Sequence, residues 1–241
     1  MSYSPPLKPT EIAEKRAILE DFTSGMYARV TAEWKRSQPM LRQHGDWGFA
    51  ILSSPARFRP TMMILGENPG FGKDDDGPHE DSLPSENSYI DADWRLARIL
   101  RQLFADAGIT EMLHGAVIAN FQFFKSPNLR DWAKISPPLR RNLEAASLRE
   151  IEQLVYLTEP QQIMVLGLKA FDKHAKNHVI QFFLDESGRR RLLVTGSVYG
   201  RPAFGLMHPS GSRVSSPDWK HVSEWMRVTA ASTTRQNESP A

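Results

Sequence analysis

The sequence predicts an α/β protein of three layers, in which helices cover both faces of a central, mostly parallel four-stranded sheet. Short apolar runs without polar alternation are typical of strands that are buried on both faces. Four such runs occur, at 61–65, 116–119, 163–166 and 204–207. Segments in which apolar residues recur at helical spacing lie between these runs, and the alternation of strands and helices predicts that the strands are parallel.

Helical periodicity predicts the elements around the four strands. The first helix, or bent pair of helices, is expected from Pro9 to about Trp34, and prolines and glycines make residues 37–60 irregular. The polar stretch 185–188 separates two apolar segments and predicts a β-hairpin. Further helices are expected from about Trp94 to Gly108, at 139–157, at 168–178 and at 218–228, and the hairpin strands at 179–184 and 192–198.

Three regions are expected along the chain. Residues 1–59 form an N-terminal helical extension that packs on the core, and residues 60–229 form the α/β domain that contains the four strands. The last residues are polar, which predicts that 230–241 form a disordered tail.

The composition excludes several kinds of chemistry. The chain of 241 residues contains no cysteine, which excludes disulfides, cysteine nucleophiles and cysteine-held zinc or iron–sulfur sites. We expect no cofactor and no metal. His174 and His178 stand four apart on a predicted helix, but no further ligand joins them, and we interpret both as surface residues. The run Asp74–Asp76 is interpreted as a solvated loop.

Location and partners are constrained only loosely. No apolar stretch approaches the roughly 20 residues of a membrane span, and the N-terminus lacks the apolar region of a signal peptide. We therefore expect a cytoplasmic monomer that does not bind membranes. The formal net charge of +2 is compatible with nucleic acid as a partner and does not by itself argue for it.

Polar residues follow three of the predicted strands. Gly66-Glu67-Asn68-Pro69-Gly70 follows the first strand, Asn120 the second, and His208-Pro209-Ser210-Gly211 the last. Taken alone, each stretch also fits an ordinary turn or cap. Ligands of open parallel sheets bind at the carboxyl ends of the strands, so the three stretches together predict a site at that edge.

This set of motifs resembles the uracil-DNA glycosylase superfamily. That superfamily has a first motif of Gly-x-Asp/Asn-Pro, a last motif of His/Asn-Pro-Ser, and an asparagine after the second strand. GENPG is similar to Gly-Ile-Asn-Pro-Gly of the mismatch-specific branch, and HPSG is similar to His-Pro-Ser-Pro of the single-strand-selective branch. The iron–sulfur branch shares the glutamate (Gly-Glu-Ala-Pro-Gly), but the absence of cysteine excludes it. The resemblance covers roughly residues 60–228.

The resemblance implies a glycosylase-like fold and a role for each matching residue. Asn68 would orient the attacking water, and His208 would donate a hydrogen bond to the departing base. Glu67 would act either as a general base or as an acceptor for backbone amides of its loop. The expected base-binding residues are Gly66, Pro69, Gly70, Phe71, Tyr89 and Asn120, with Tyr89 or Phe71 stacking on the base. The expected contacts to damaged or single-stranded DNA are Pro209, Ser210, Gly211, Ser212 and Arg213.

Three functions remain open from the sequence. The first is a monofunctional DNA glycosylase that hydrolyses the N-glycosidic bond of uracil or a related deaminated base. The second is a glycosylase for a bulkier modified base, as in defence against phage with altered DNA. The third is a DNA-binding protein that has kept the fold and lost the reaction.

Overall fold

The chain folds as an α/β structure in which helices flank a mixed, mostly parallel sheet. The computed structural model describes residues 7–70, 82–176, 183–185, 188–210 and 213–238, with only the backbone for 183–184 and 231–238. The helices are α1 (Pro9–Leu41), α2 (Ser88–Asp91), α3 (Arg95–Asp106), α4 (Thr110–His114), α5 (Leu129–Lys134), α6 (Pro137–Thr158), α7 (Leu168–His174) and α8 (Ser216–Glu238). The strands are β1 (Met62–Gly66), β2 (Val117–Asn120), β3 (Gln162–Leu166), β4 (Phe183–Leu184), β5 (Arg191–Val198) and β6 (Arg201–Leu206).

The sheet has the strand order β2-β1-β3-β6-β5-β4. The first four strands in this order are mutually parallel, and they are the four that the apolar runs predict. The predicted count of four is nevertheless wrong, because β5 pairs antiparallel with β6 and the two-residue β4 pairs with β5. Tyr199 and Gly200 reverse the chain between β5 and β6, with φ angles of 47° and 75°. Two successive positive φ angles are the signature of a tight hairpin turn that matches the twist of the strands.

Each face of the sheet packs against a different set of helices. Met63 and Leu65 of β1 belong to a core cluster with α1, α6 and α7, whereas Met62 and Ile64 belong to a cluster with α3 and α8. All five residues of β1 are buried. Because both faces are covered, the strands need apolar side chains at every position, which explains their continuous apolar runs.

The N-terminal region lies against the first of these clusters. α1 is continuous over 33 residues and buries Leu19, Met26 and Val30 in the same cluster as the sheet. It extends beyond the predicted end to Leu41, although Pro39 has no N–H to donate to the carbonyl of Lys35. The irregular segment that follows runs along β2, with antiparallel bridges from Leu52 to Ala119 and from Phe49 to Phe124.

The last helix is longer than its predicted range of 218–228, because α8 begins at Ser216 and continues to Glu238. Once a helix has formed, each added residue contributes another backbone hydrogen bond, and no proline follows Pro217 before Pro240. Within the described part of the chain, no helix combines the length and apolar character needed to cross a membrane.

A prediction concerns the contact between α7 and β6. A Cβ atom on Gly205 would lie 2.5 Å from the Cβ and Cγ atoms of Phe171, which is fully buried. We expect Gly205→Ala to lower the free energy of unfolding by about 1–3 kcal/mol through overpacking. Gly115→Ala is the matched control, because the backbone of Gly115 is in the right-handed helical conformation and an added Cβ would lie 3.4 Å from its nearest neighbouring atom. We expect this substitution to change the free energy of unfolding by less than about 1 kcal/mol. Urea denaturation measures both, and equal effects would contradict the prediction.

Candidate active site

The loop after β1 is held against the segment after β2. The backbone N–H groups of Phe121 and Gln122 donate to the carbonyls of Gly66 and Glu67, at 2.9 and 3.0 Å. Further along, the N–H of Ser126 donates to the Pro69 carbonyl at 3.3 Å. The two segments therefore continue the β1–β2 pairing beyond the strands, and together they fix the positions of the polar residues that they carry.

Asn68 is half-buried in this paired region and its amide is oriented by two hydrogen bonds. Its Nδ2 donates to Ser126 Oγ at 2.8 Å and to the Pro69 carbonyl at 3.2 Å. Since both bonds use the nitrogen, Oδ1 is the amide atom that can accept a hydrogen bond from water. Ser126 was not expected from the sequence. The Ser126-Pro127-Asn128 stretch is a turn signal, and Asn128 caps α5 by accepting from two backbone N–H groups.

Asn120 ends β2 directly beside the first motif. It is paired with Gly66 in the sheet and is half-buried. A Cβ atom on Gly66 would lie 2.3 Å from Asn120 Oδ1, so the amide occupies the space that a side chain at that position would fill. Glycine at the end of β1 is therefore required by the position of the Asn120 amide.

His208 lies two residues beyond the end of β6 and packs over Gly167, the residue after β3. A Cβ atom on Gly167 would be 3.8 Å from His208 Cδ2, and the φ of Gly167 is 108°, a conformation that favours glycine. Ser210 Oγ is 3.2 Å from His208 Nδ1. Burial lowers the pKa of His208 below its ordinary value, so the imidazole is neutral at neutral pH.

The structure brings Asn68, Asn120 and His208 to one edge of the sheet. They lie at or just beyond the ends of β2, β1 and β6, and the parallel pairing of these strands with one another and with β3 places all their carboxyl ends on the same side. Neighbouring strands are roughly 4.8 Å apart, and β1 is two strands from β6, so Asn68 and His208 stand on strands separated by roughly 10 Å. Between them lie Gly167, which has no side chain, and the start of α7.

Glu67 points to α7 instead of binding the backbone amides of its own loop. Its Oε1 accepts a hydrogen bond from Lys173 Nζ at 2.9 Å, in an ion pair. Its Oε2 is 3.8 Å from His174 Nε2. Glu67 Oε2 and His174 Nε2 are buried, and neither has a hydrogen-bond partner within the described residues. The carboxylate therefore links the loop after β1 to the last turn of α7.

The side chain of His174 is largely buried, so its interpretation as a surface residue is wrong. Its ring stacks on Phe121 with a centroid distance of 3.9 Å and an interplanar angle of 16°, and its side chain is 8% exposed. Burial lowers the pKa of His174 to about 4, although the nearby Glu67 carboxylate opposes this shift. The stacking partner is distant in sequence, so helical spacing alone could not reveal it. Among the residues the structure describes, no cluster suits a metal ion.

Tyr89 packs on the α3 and α8 side of the sheet. Its ring meets Trp94 edge-on at 5.4 Å, and burial raises its pKa to about 12. Its predicted stacking on a base therefore has no support from its contacts. Of the expected DNA contacts, Pro209 is buried and Arg213 is exposed. The other predicted positions, Phe71, Asp74–Asp76, His178, Gly211 and Ser212, lie outside the described residues.

The burial of His174 predicts a pH dependence of stability. Its pKa falls from 6.5 to about 4 on folding, so between these values the unfolded state binds the proton and the folded state does not. The free energy of unfolding should then decrease as the pH falls through this window, and His208 contributes in the same direction. We expect a smaller decrease in His174→Gln than in the wild type, measured by urea denaturation across the window. The same decrease in both proteins would contradict a neutral, buried imidazole.

The comparisons with known proteins found no protein-family model and no curated protein that matches this chain. Any functional conclusion therefore rests on the residues and contacts of the chain itself.

Proposed function

We propose that this protein is a DNA glycosylase of the uracil-DNA glycosylase type, which hydrolyses the N-glycosidic bond of uracil or a related deaminated base in DNA. One observation carries the proposal. Asn68, Asn120 and His208 lie at or just beyond the carboxyl ends of three parallel strands, at one edge of the sheet. These residues are also the ones on which the resemblance to the superfamily depends.

The reaction requires three things of its catalyst. Breaking an N-glycosidic bond places positive charge on the sugar and negative charge on the departing base, so the base needs a hydrogen-bond donor and the sugar needs a water. The target base is inaccessible inside a duplex and must first be rotated out of the stack, at a cost of a few kcal/mol. The third requirement is a pocket that recognises the extruded base.

His208 is suited to stabilise the departing base. When the Ser210 hydroxyl donates to Nδ1, the proton of the neutral ring is on Nε2. Nε2 then donates to a base oxygen, and this hydrogen bond strengthens as negative charge develops there. Ser210, which the sequence assigns to DNA contact, thus supports the proposal through the tautomer of His208.

Asn68 and Asn120 are suited to the other two tasks. Asn68 directs Oδ1 as an acceptor for water, because its nitrogen is already used by Ser126 and Pro69. An amide orients a water without removing its proton, which favours a dissociative reaction. Asn120 offers both a donor and an acceptor, which matches the alternating pattern on the pairing edge of a nucleobase.

The first test is the release of free base from oligonucleotides that contain uracil, hypoxanthine or xanthine. We expect the purified protein to release at least one of these bases, detected by mass spectrometry. Asn68→Ala and His208→Ala should each slow release by about 10²–10³-fold, because each removes an interaction that the transition state needs.

Two exposed residues provide matched controls for this test. Asn142 on α6 and His221 on α8 are both exposed, and Asn142→Ala and His221→Ala should release base at the wild-type rate. Failure of the wild-type protein to release any of the three bases would contradict the proposal. Tight binding to the same oligonucleotides without release would instead favour the non-catalytic DNA-binding function.

A second test uses the contact between Gly66 and Asn120. In Gly66→Ala the new Cβ would lie 2.3 Å from Asn120 Oδ1, so the amide must rotate away from its position. A misplacement of about 1 Å costs on the order of 10²-fold in rate, and we expect kcat/KM to fall by about that factor with the protein still folded. Single-turnover kinetics measure the loss of rate and thermal unfolding shows whether the variant is folded, with Gly115→Ala as the control. An unchanged kcat/KM would contradict the proposed role of the Asn120 amide in recognising the base.

A further inference from the structure

Helix α7 touches residues on both sides of the proposed site. Its N-cap, Gly167, lies against His208, where a Cβ atom would be 3.8 Å from the ring. Its last turn reaches Glu67, the residue before Asn68, through the 2.9 Å contact between Lys173 Nζ and Glu67 Oε1. A single helix of seven residues thus spans from the imidazole to the loop that carries the water-orienting amide.

The N-cap and the middle of α7 pack on β6. Phe171 is fully buried and lies directly on the backbone of Gly205, where a Cβ atom would be 2.5 Å from its ring. The N–H of Gly167 donates to the Leu206 carbonyl at 2.7 Å. Close-packed contacts of this kind do not deform gradually. α7 and the strand that leads to His208 therefore behave as one unit.

The C-terminal turn of α7 is tied to the loop after β1 by polar contacts. The ion pair of Glu67 with Lys173 is partly exposed, with side-chain exposures of 25% and 48%. Beside it, His174 stacks on Phe121, whose own N–H is bonded to Gly66. Glu67 Oε2 and His174 Nε2 are both buried, 3.8 Å apart. Buried polar atoms without partners are costly, and the hydrogen bond from Lys173 Nζ to Glu67 Oε1 is the contact that ties this carboxylate to α7.

We propose that α7 sets the distance between Asn68 and His208, with Glu67 and Lys173 as positioning residues. This inference rests on the proposed glycosylase function. Glu67 adjoins Asn68 in the chain, so releasing its carboxylate from α7 lets the loop and the Asn68 amide shift relative to His208. A catalytic constellation tolerates displacements of only about 0.5 Å. In this arrangement the Glu67 carboxylate neither accepts nor supplies a proton in the reaction.

The test is a double-mutant cycle on Glu67→Gln and Lys173→Met, which preserve side-chain length and remove charge. The substrate is the oligonucleotide from the uracil, hypoxanthine and xanthine set that the wild-type protein cleaves fastest. We expect each single variant to lower the single-turnover rate by about 10- to 100-fold, with little change in KM. The double variant should be no slower than the slower single variant, because both substitutions break the same link.

The chain offers a matched control and a rescue variant. Asp172, on the same helix, forms an ion pair with Arg191 of β5, with a 2.7 Å contact that does not involve the loop after β1. Asp172→Asn and Arg191→Met should leave the rate unchanged. The exchange of Glu67→Lys with Lys173→Glu re-forms the pair with reversed charges and should restore part of the rate. Thermal unfolding of every variant shows that a slow variant is still folded.

The outcomes that overturn the inference are distinct. If Glu67→Gln loses the acidic limb of the kcat–pH profile while Lys173→Met keeps its rate, Glu67 is a general base and the inference is wrong. Independent, multiplicative losses in the double variant, or wild-type rates in both single variants, also overturn it while leaving the glycosylase function intact. A wild-type protein that releases no base overturns the proposed function, and this inference with it.

Discussion

The parallel pairing of β1 with β2 and β3, and of β3 with β6, is the constraint on which the rest of the structure depends. Because all four strands run in one direction, a single edge of the sheet collects the residues that follow them. The register matters as much as the direction. Gly66 is paired with Asn120, and a slip of one residue between their strands would turn the Asn120 side chain to the opposite face.

Glycines allow larger side chains to approach the sheet at its functional edge. The Asn120 amide occupies the space beside Gly66, and His208 packs over Gly167. The same relation holds deeper in the core, where Phe171 lies on Gly205. At Gly66 and Gly205 the missing Cβ lets a polar or aromatic group contact the backbone of the sheet directly. At Gly167 a Cβ would have room beside His208, and the φ of 108° is what favours glycine.

The sequence predicted much of the fold because the parallel strands are apolar at every position, a pattern that buried strands require and loops do not tolerate. It also predicted which residues follow those strands. It did not predict the turn at Tyr199 and Gly200, because tyrosine is uncommon at a positive φ angle and gives no turn signal. That turn brings β5 into the sheet, and missing it led to the wrong number of strands.

The contacts of Glu67 and His174 were beyond sequence reasoning for a different reason. Glu67 and Lys173 are separated by 106 positions in the chain, and no periodicity relates them. The lack of a further metal ligand led to the interpretation of His174 and His178 as surface residues, whereas the ring of Phe121 covers His174. Local patterns report the face of an element on which a residue lies. They do not report which distant residue covers that face.

Charge at the functional edge links these contacts to the proposed partner. A lone carboxylate beside Asn68 would repel the phosphates of a bound nucleic acid strand, whose negative charge dominates such interactions. Lys173 lies 2.9 Å from Glu67, far inside the screening length of roughly 8 Å at physiological salt, so the pair presents little net charge to a strand. His208 is neutral as well, because burial lowers its pKa. The pairing of Glu67 with Lys173 therefore makes a glutamate at this edge compatible with the DNA partner that the proposed function requires.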